Sequence, residues 1–208
     1  MRAKDSMLPI RSGRNVMRAK AMVFVLGALA VSSCVPDWAK QGDSPEILLM
    51  TAISDGSPLN SDVRISTGSV CPDFASLRVE NHKKNPLNTD TSFRSDIVIE
   101  RYGVRYFRSD GRSTEGVDVP YSISGNVAQE VQGGSAAVLS LEVVRRQAKL
   151  EPPLRNLISF GGGQVVTMFA EVTIYARSTV QQTTNSATAR LQIDFADFAD
   201  ALTSCTTQ

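Results

Sequence analysis

Val166-Thr-Met-Phe-Ala-Glu-Val-Thr-Ile-Tyr-Ala176 and Ala187-Thr-Ala-Arg-Leu-Gln-Ile-Asp-Phe195 are the two stretches whose reading decides the fold. In the first, Val166, Met168, Ala170, Val172, Ile174 and Ala176 share one face. Thr167, Glu171, Thr173 and Arg177 take the other, with Phe169 and Tyr175 interrupting its polarity. In the second, Ala187, Ala189, Leu191, Ile193 and Phe195 alternate with Thr188, Arg190, Gln192 and Asp194. A period of two belongs to a strand with one buried face, since successive side chains point to opposite sides of a sheet. The polar segment Ser178–Ser186 between them predicts a hairpin connection.

Working outward, Ala137–Lys149 reads as a third strand with Leu139, Leu141 and Val143 inward. Asp96–Arg108 reads as a fourth, and its mixed faces near Ile97–Ile99 predict a bulge or bend. It ends at Asp110-Gly111, a pair suited to a tight turn. The return strand is expected at Gly116–Ile123, placed at an edge because Pro120 has no N–H to donate. Shorter candidates are Glu46–Ser54, Asp62–Ser66, Phe74–Glu80 and Asn126–Val131, and no helix is expected in the body. Many short strands separated by Gly, Pro, Asn and Asp turns predict an all-β fold. The expectation is an immunoglobulin-like or C2-like antiparallel β-sandwich of seven to nine strands, with a lipocalin-like β-barrel as the alternative. A transmembrane barrel is disfavoured because the strands show no aromatic girdles.

The whole chain has 208 residues, a formal net charge of +1, 42% hydrophobic and 21% charged residues. These values exclude a disordered polyelectrolyte and a multi-span membrane protein. The near-neutral charge hides a segregation. Arg2, Lys4, Arg11, Arg14, Arg18 and Lys20 face only Asp5, so residues 1–20 carry +5. Removing these from the totals of 22 basic and 21 acidic leaves 16 and 20, a net of −4 on residues 34–208. A body of that sign argues against a nucleic-acid partner.

The apolar run Ala21–Val31 follows the basic leader and is too short to cross ~30 Å of hydrocarbon as a helix. A positive segment, a short apolar segment and small residues describe a secretory signal. Val31-Ser32-Ser33-Cys34 resembles the lipobox of bacterial lipoproteins. That resemblance implies that Cys34 is the first residue of the mature chain and carries acyl groups such as palmitate. It also implies export and attachment to the cell envelope, and Val35 after the Cys favours the outer membrane where there is one. More than one acyl chain is needed for stable anchoring. Met-Arg-Ala-Lys occurs at 1–4 and again at 17–20, so Met1 and Met17 are both candidate starts. The expected organisation is a leader and signal peptide over 1–33, a lipidated Cys and tether over 34–45, and one β-sandwich domain over 46–208.

Tyr102–Arg112, Gly116–Pro120, Gln147–Leu154 and Asp194–Asp200 resemble blocks of a group of uncharacterised bacterial lipoproteins with β-sandwich domains. The resemblance implies fold and address rather than an activity.

Beyond Cys34 the cysteines are Cys71 and Cys205. An exported chain meets an oxidising compartment, where such a pair forms a disulfide; the alternative is two free thiols. His82 is the single histidine, in a polar stretch read as a loop, and no nucleophile elbow accompanies it. No paired His or Cys spacing suggests a metal. Gly161-Gly-Gly163 leads into a strand and lacks the Lys of a phosphate loop. Asp194, Asp197 and Asp200 offer carboxylates for Ca²⁺, with solvated acids past the end of a strand as the alternative reading. Arg145, Arg146 and Lys149 are the densest basic group, expected to alternate faces of a strand.

These readings predict a non-enzymatic, lipid-anchored envelope protein with no cofactor. Its partners are the membrane through Cys34 and a protein or ligand met through the loops Asn81–Phe93, Ser109–Pro120 and Pro152–Gly163 or an edge strand. The alternatives are a barrel-like small-molecule carrier and a Ca²⁺-dependent adhesion module.

Overall fold

The computed structural model describes residues 46–84, 87, 95–160, 163–198 and 204–205. The expected leader and tether, Cys34, and most of the loop expected over Asn81–Phe93 lie outside the described residues. Among the described residues, eight strands run in the order β1 (Glu46–Ile53), β2 (Leu59–Asp62), β3 (Asp73–Lys83), β4 (Ile97–Arg108), β5 (Ile123–Val131), β6 (Ala136–Val144), β7 (Val166–Ser178) and β8 (Thr184–Ala196). They form a three-stranded sheet β1-β3-β6 and a five-stranded sheet β2-β8-β7-β4-β5. Every pair is antiparallel except β2 with β8, which is parallel. The fold is all-β, as the alternation predicts.

The inner faces of both sheets share one core. Leu48, Leu77, Val79, Leu139, Leu141 and Val143 come from the smaller sheet; Ile99, Val104, Met168, Val172, Ile193 and Phe195 come from the larger. The expected hairpin is β7–β8, in unbroken register from Val166 opposite Phe195 to Arg177 opposite Thr184. The expected irregularity in the fourth strand is a register shift between Ile99 and Arg101, seen against both neighbours.

Four expectations are corrected. The strand expected over Ala137–Lys149 stops at Val144, and Arg146–Leu150 forms a short helix, α1. Val143 and Val144 are both buried, so the alternation has already failed there. Leu154–Phe160 continues as a 3-10 helix whose Leu154 and Leu157 enter the core. Gly116–Ile123 is not the return strand; β5 begins at Ile123 and forms the edge of the five-stranded sheet. Gly116 has φ +75°, and a turn closed by Gly116 N–H on Val119 O precedes Pro120. The candidate at Asp62–Ser66 shifts to Leu59–Asp62, and His82 belongs to β3 rather than to a loop.

Polar ties cross from one sheet to the other. Tyr106 Oη on β4 donates to Val143 O on β6 at 2.5 Å. Burial raises the Tyr106 phenol beyond the usual tyrosine range, which keeps it a neutral donor. Asn81 Nδ2 on β3 donates to Ser95 O at 2.7 Å and to Val131 O on β5 at 3.0 Å. The largest tie is centred on Lys149 of α1, which is 1% exposed. Its Nζ donates to Asp62 O at 2.8 Å and lies 2.9 Å from Asp73 Oδ2. Ser61 Oγ on β2 donates to the same Asp73 carboxylate at 2.5 Å. One cluster thus joins β2, β3 and α1.

Close by in sequence, Cys71 is bonded to Cys205, with Cα atoms 5.4 Å apart and a sequence separation of 134. Closing a loop of that length removes about 5 kcal/mol of unfolded-chain entropy on the chain-entropy estimate.

Desolvation pushes the Asp73 carboxyl above the usual carboxylate range, against the opposing pull of Lys149 and Ser61. Its folded form therefore holds a proton more readily than its unfolded form. The pair's cost is relieved, and stability rises, as pH falls from above the raised value towards the ordinary 3.8. Urea unfolding should show Asp73→Ala costing about 3–5 kcal/mol at neutral pH, because the ammonium is left buried and uncompensated. Asp73→Leu combined with Lys149→Met should cost less than Asp73→Ala, since a buried pair is replaceable by apolar groups. A second test concerns Gly125 of β5, opposite Tyr102 in the ladder. A Cβ there would lie 2.3 Å from the Tyr102 ring, so Gly125→Ala should cost about 1–3 kcal/mol by the same measurement.

Candidate binding surface

The register that buries one face of β7 turns the other outward and lines it up with β4 and β8. Arg105, Glu171 and Arg190 are direct partners across the three strands. Arg105 Nη2 donates to Glu171 Oε1 at 2.5 Å, and Arg190 Nη2 donates to Oε2 at 3.1 Å. One carboxylate thus holds two guanidiniums that are otherwise well exposed, at 77% and 65%. The hydrogen bond from Arg105 is the main cause that keeps the Glu171 carboxyl below its ordinary value.

The adjacent row is Phe107, Phe169 and Gln192. The two phenyl rings stack with centroids 5.6 Å apart, and the Arg190 guanidinium lies 5.1 Å from the Phe107 centroid. Further along the same face, Thr173 and Thr188 hydroxyls are 3.0 Å apart and Arg101 sits over the Tyr175 ring at 4.2 Å.

Two loops wall this face. Ser54, Asp55 and Gly56 all have positive φ, which reverses the chain after β1. The reversal brings Gly56–Pro58 beside Phe107 and Phe169, bounding an open groove of ≈ 380 Å³. The β4–β5 connection brings Ser113 and Glu115 beside Arg105 and Glu171, bounding a second groove of ≈ 440 Å³. The grooves share Phe107 and Arg190. They combine an aromatic floor with fixed donors and acceptors, which is the chemistry of a binding surface.

The residues singled out in the sequence are dispersed. Cys34 and Asp200 lie outside the described residues, as do Gly161 and Gly162. His82 Nε2 is 2.8 Å from Glu80 Oε2 on the exposed side of β3, far along that strand from Asp73. Asp194 accepts from Thr167 Oγ1 at 2.6 Å, whereas Asp197 pairs with Arg64 at 3.1 Å, so these two acids serve different neighbours. No cluster of three His, Cys, Asp or Glu suited to a metal exists among the described residues. Arg145 donates to Ser124 O at 2.6 Å while Lys149 is buried, so the basic group is divided by α1 rather than by a strand. Ser61 and Lys149 resemble a nucleophile and base in type, yet both are buried in the cluster beneath the surface.

Sequence reasoning passed over Arg105, Phe107 and Arg190, whose proximity depends on strand register. Phe169 and Tyr175 gave the available signal, as aromatic residues on the face expected to be polar.

Glu171 carries a lowered pKa, so its contribution is present above the unfolded value near 4.5 and is lost as pH falls through the folded value. Glu171→Gln should cost no more than about 1 kcal/mol, because its partners are exposed. It should flatten the acid limb of the stability profile, as read by thermal melts between pH 3 and 7. The chain matches no protein-family model and no curated protein.

Proposed function

We propose that this chain is a lipid-anchored protein of the cell envelope with a non-catalytic binding role. The observation that carries the reading is Val31-Ser32-Ser33-Cys34 directly after the uncharged run Ala21–Val31 and a +5 leader. Acylated Cys34 tethers the chain to the membrane, the outer one where there are two, by burying acyl methylenes at about 0.8 kcal/mol each. The pairing of Cys71 with Cys205 suits an oxidising compartment. The outward face of β4, β7 and β8 is the recognition surface, presented on rigid strands rather than on loops alone.

The proposed binding is to a protein or a ligand of the envelope, with nucleic acid disfavoured by the net −4 of residues 34–208. An internal carrier role is disfavoured because the inward faces of both sheets are committed to one shared core.

Expression of the full chain with labelled palmitate tests the anchor. The parent should incorporate label and sediment with membranes. Cys34→Ala should lose the label and move to the soluble fraction. A Cys34→Ala chain that still sediments with membranes would refute lipid anchoring.

A further inference from the structure

The two grooves share a wall, and that arrangement suits a chain of linked rings better than one compact ligand. Their volumes, ≈ 380 and ≈ 440 Å³, fall in the ~300–1,000 Å³ range of small-molecule sites. Their charged lining is balanced: Arg105 and Arg190 against Glu171 and Glu115. A surface with no net charge exerts little attraction on a polyanion or polycation. Guanidiniums carry five N–H donors each, and Glu171 takes one from Arg105 and two from Arg190. Donors therefore remain for further partners. The Arg–Glu–Arg row is already ordered by its own hydrogen bonds, which lowers the entropy cost of using it. Beside it, the Phe107–Phe169 pair offers an apolar floor.

A ligand matched to these features is uncharged overall, rich in hydroxyl or amide groups, apolar on its ring faces and extended over two subsites. We propose that the outer face of β4, β7 and β8 binds an uncharged carbohydrate chain. Its rings lie on Phe107 and Phe169, and its hydroxyls meet Arg105, Glu171 and Arg190. The inference deepens the proposed binding role and rests on that reading of the surface, but not on the lipid anchor.

The test is a calorimetric titration of the full, detergent-solubilised chain with linear tetramers of N-acetylglucosamine and of glucose. A sulfated oligosaccharide of similar length is the charged control. At least one neutral tetramer should saturate the protein. Arg190→Ala and Phe107→Ala should each weaken it about tenfold or more, the loss expected for one charge-assisted hydrogen bond or one stacking surface. Arg190 is well exposed, so that variant is expected to keep the parent's melting temperature. Failure of both neutral tetramers to bind at millimolar concentration would overturn the proposal. So would tighter binding of the sulfated control, or unchanged affinity in both variants. Membrane sedimentation measured on the same preparations separates a failure of this proposal from a failure of the anchor.

Discussion

The register of β7 is the constraint on which the rest of the structure depends. This strand lies at the centre of the five-stranded sheet, between β8 and β4. Met168, Ala170, Val172, Ile174 and Ala176 are all within 2% of full burial. A slip of one residue would exchange that set for Phe169, Glu171, Thr173, Tyr175 and Arg177. Burying a glutamate and an arginine there without partners would cost several kcal/mol, so the alternative registers are disfavoured. The same constraint places Glu171 between Arg105 and Arg190 and Phe169 beside Phe107. The candidate binding surface is thus the reverse side of the core packing, fixed by the same period of two.

The sheets are held together by a different kind of interaction at each level. Apolar inner faces supply the non-directional part, which fixes that the sheets stack. Directional bonds then fix how they stack. Tyr106 reaches Val143, Asn81 reaches Val131, and Lys149 draws Asp62 and Asp73 together from opposite sheets. The Lys149 cluster is costly in itself, as the upward shift of Asp73 indicates. Removing one partner would leave the other buried and uncompensated, which is why the cluster holds as a unit. The Cys71–Cys205 bond lies at the same end of β3 and restricts the unfolded chain as well.

Strand identity was legible where one face carried most of the apolar residues, even where the alternation broke locally, as near Ile97–Ile99 of β4. β1, β3, β4, β7 and β8 all appear in the sequence close to their true bounds. β5 was blurred because Gly125 and Gln129 occupy inward positions, so its alternation carries little apolar contrast. The helix α1 was hidden because five residues are too few to establish a period of 3.6. Lys149 was read as one of a basic group alternating faces of a strand, because composition alone cannot show that a lysine has an acid, a carbonyl and a core to cover its stem. The paired cysteines were legible from their number, but their proximity was not.

The sequence by itself determined the all-β class, the central hairpin, the bulge in β4 and the segregation of a basic N-terminal segment from an acidic remainder. Those features are local: each depends on neighbours in the chain or on simple counting. Only the tertiary structure decided the strand order, the parallel pairing of β2 with β8, the burial of Lys149 and the assembly of the Arg105–Glu171–Arg190 row. Each of these joins residues far apart in the chain, and a period of two says which face a side chain takes but not which strand will lie beside it.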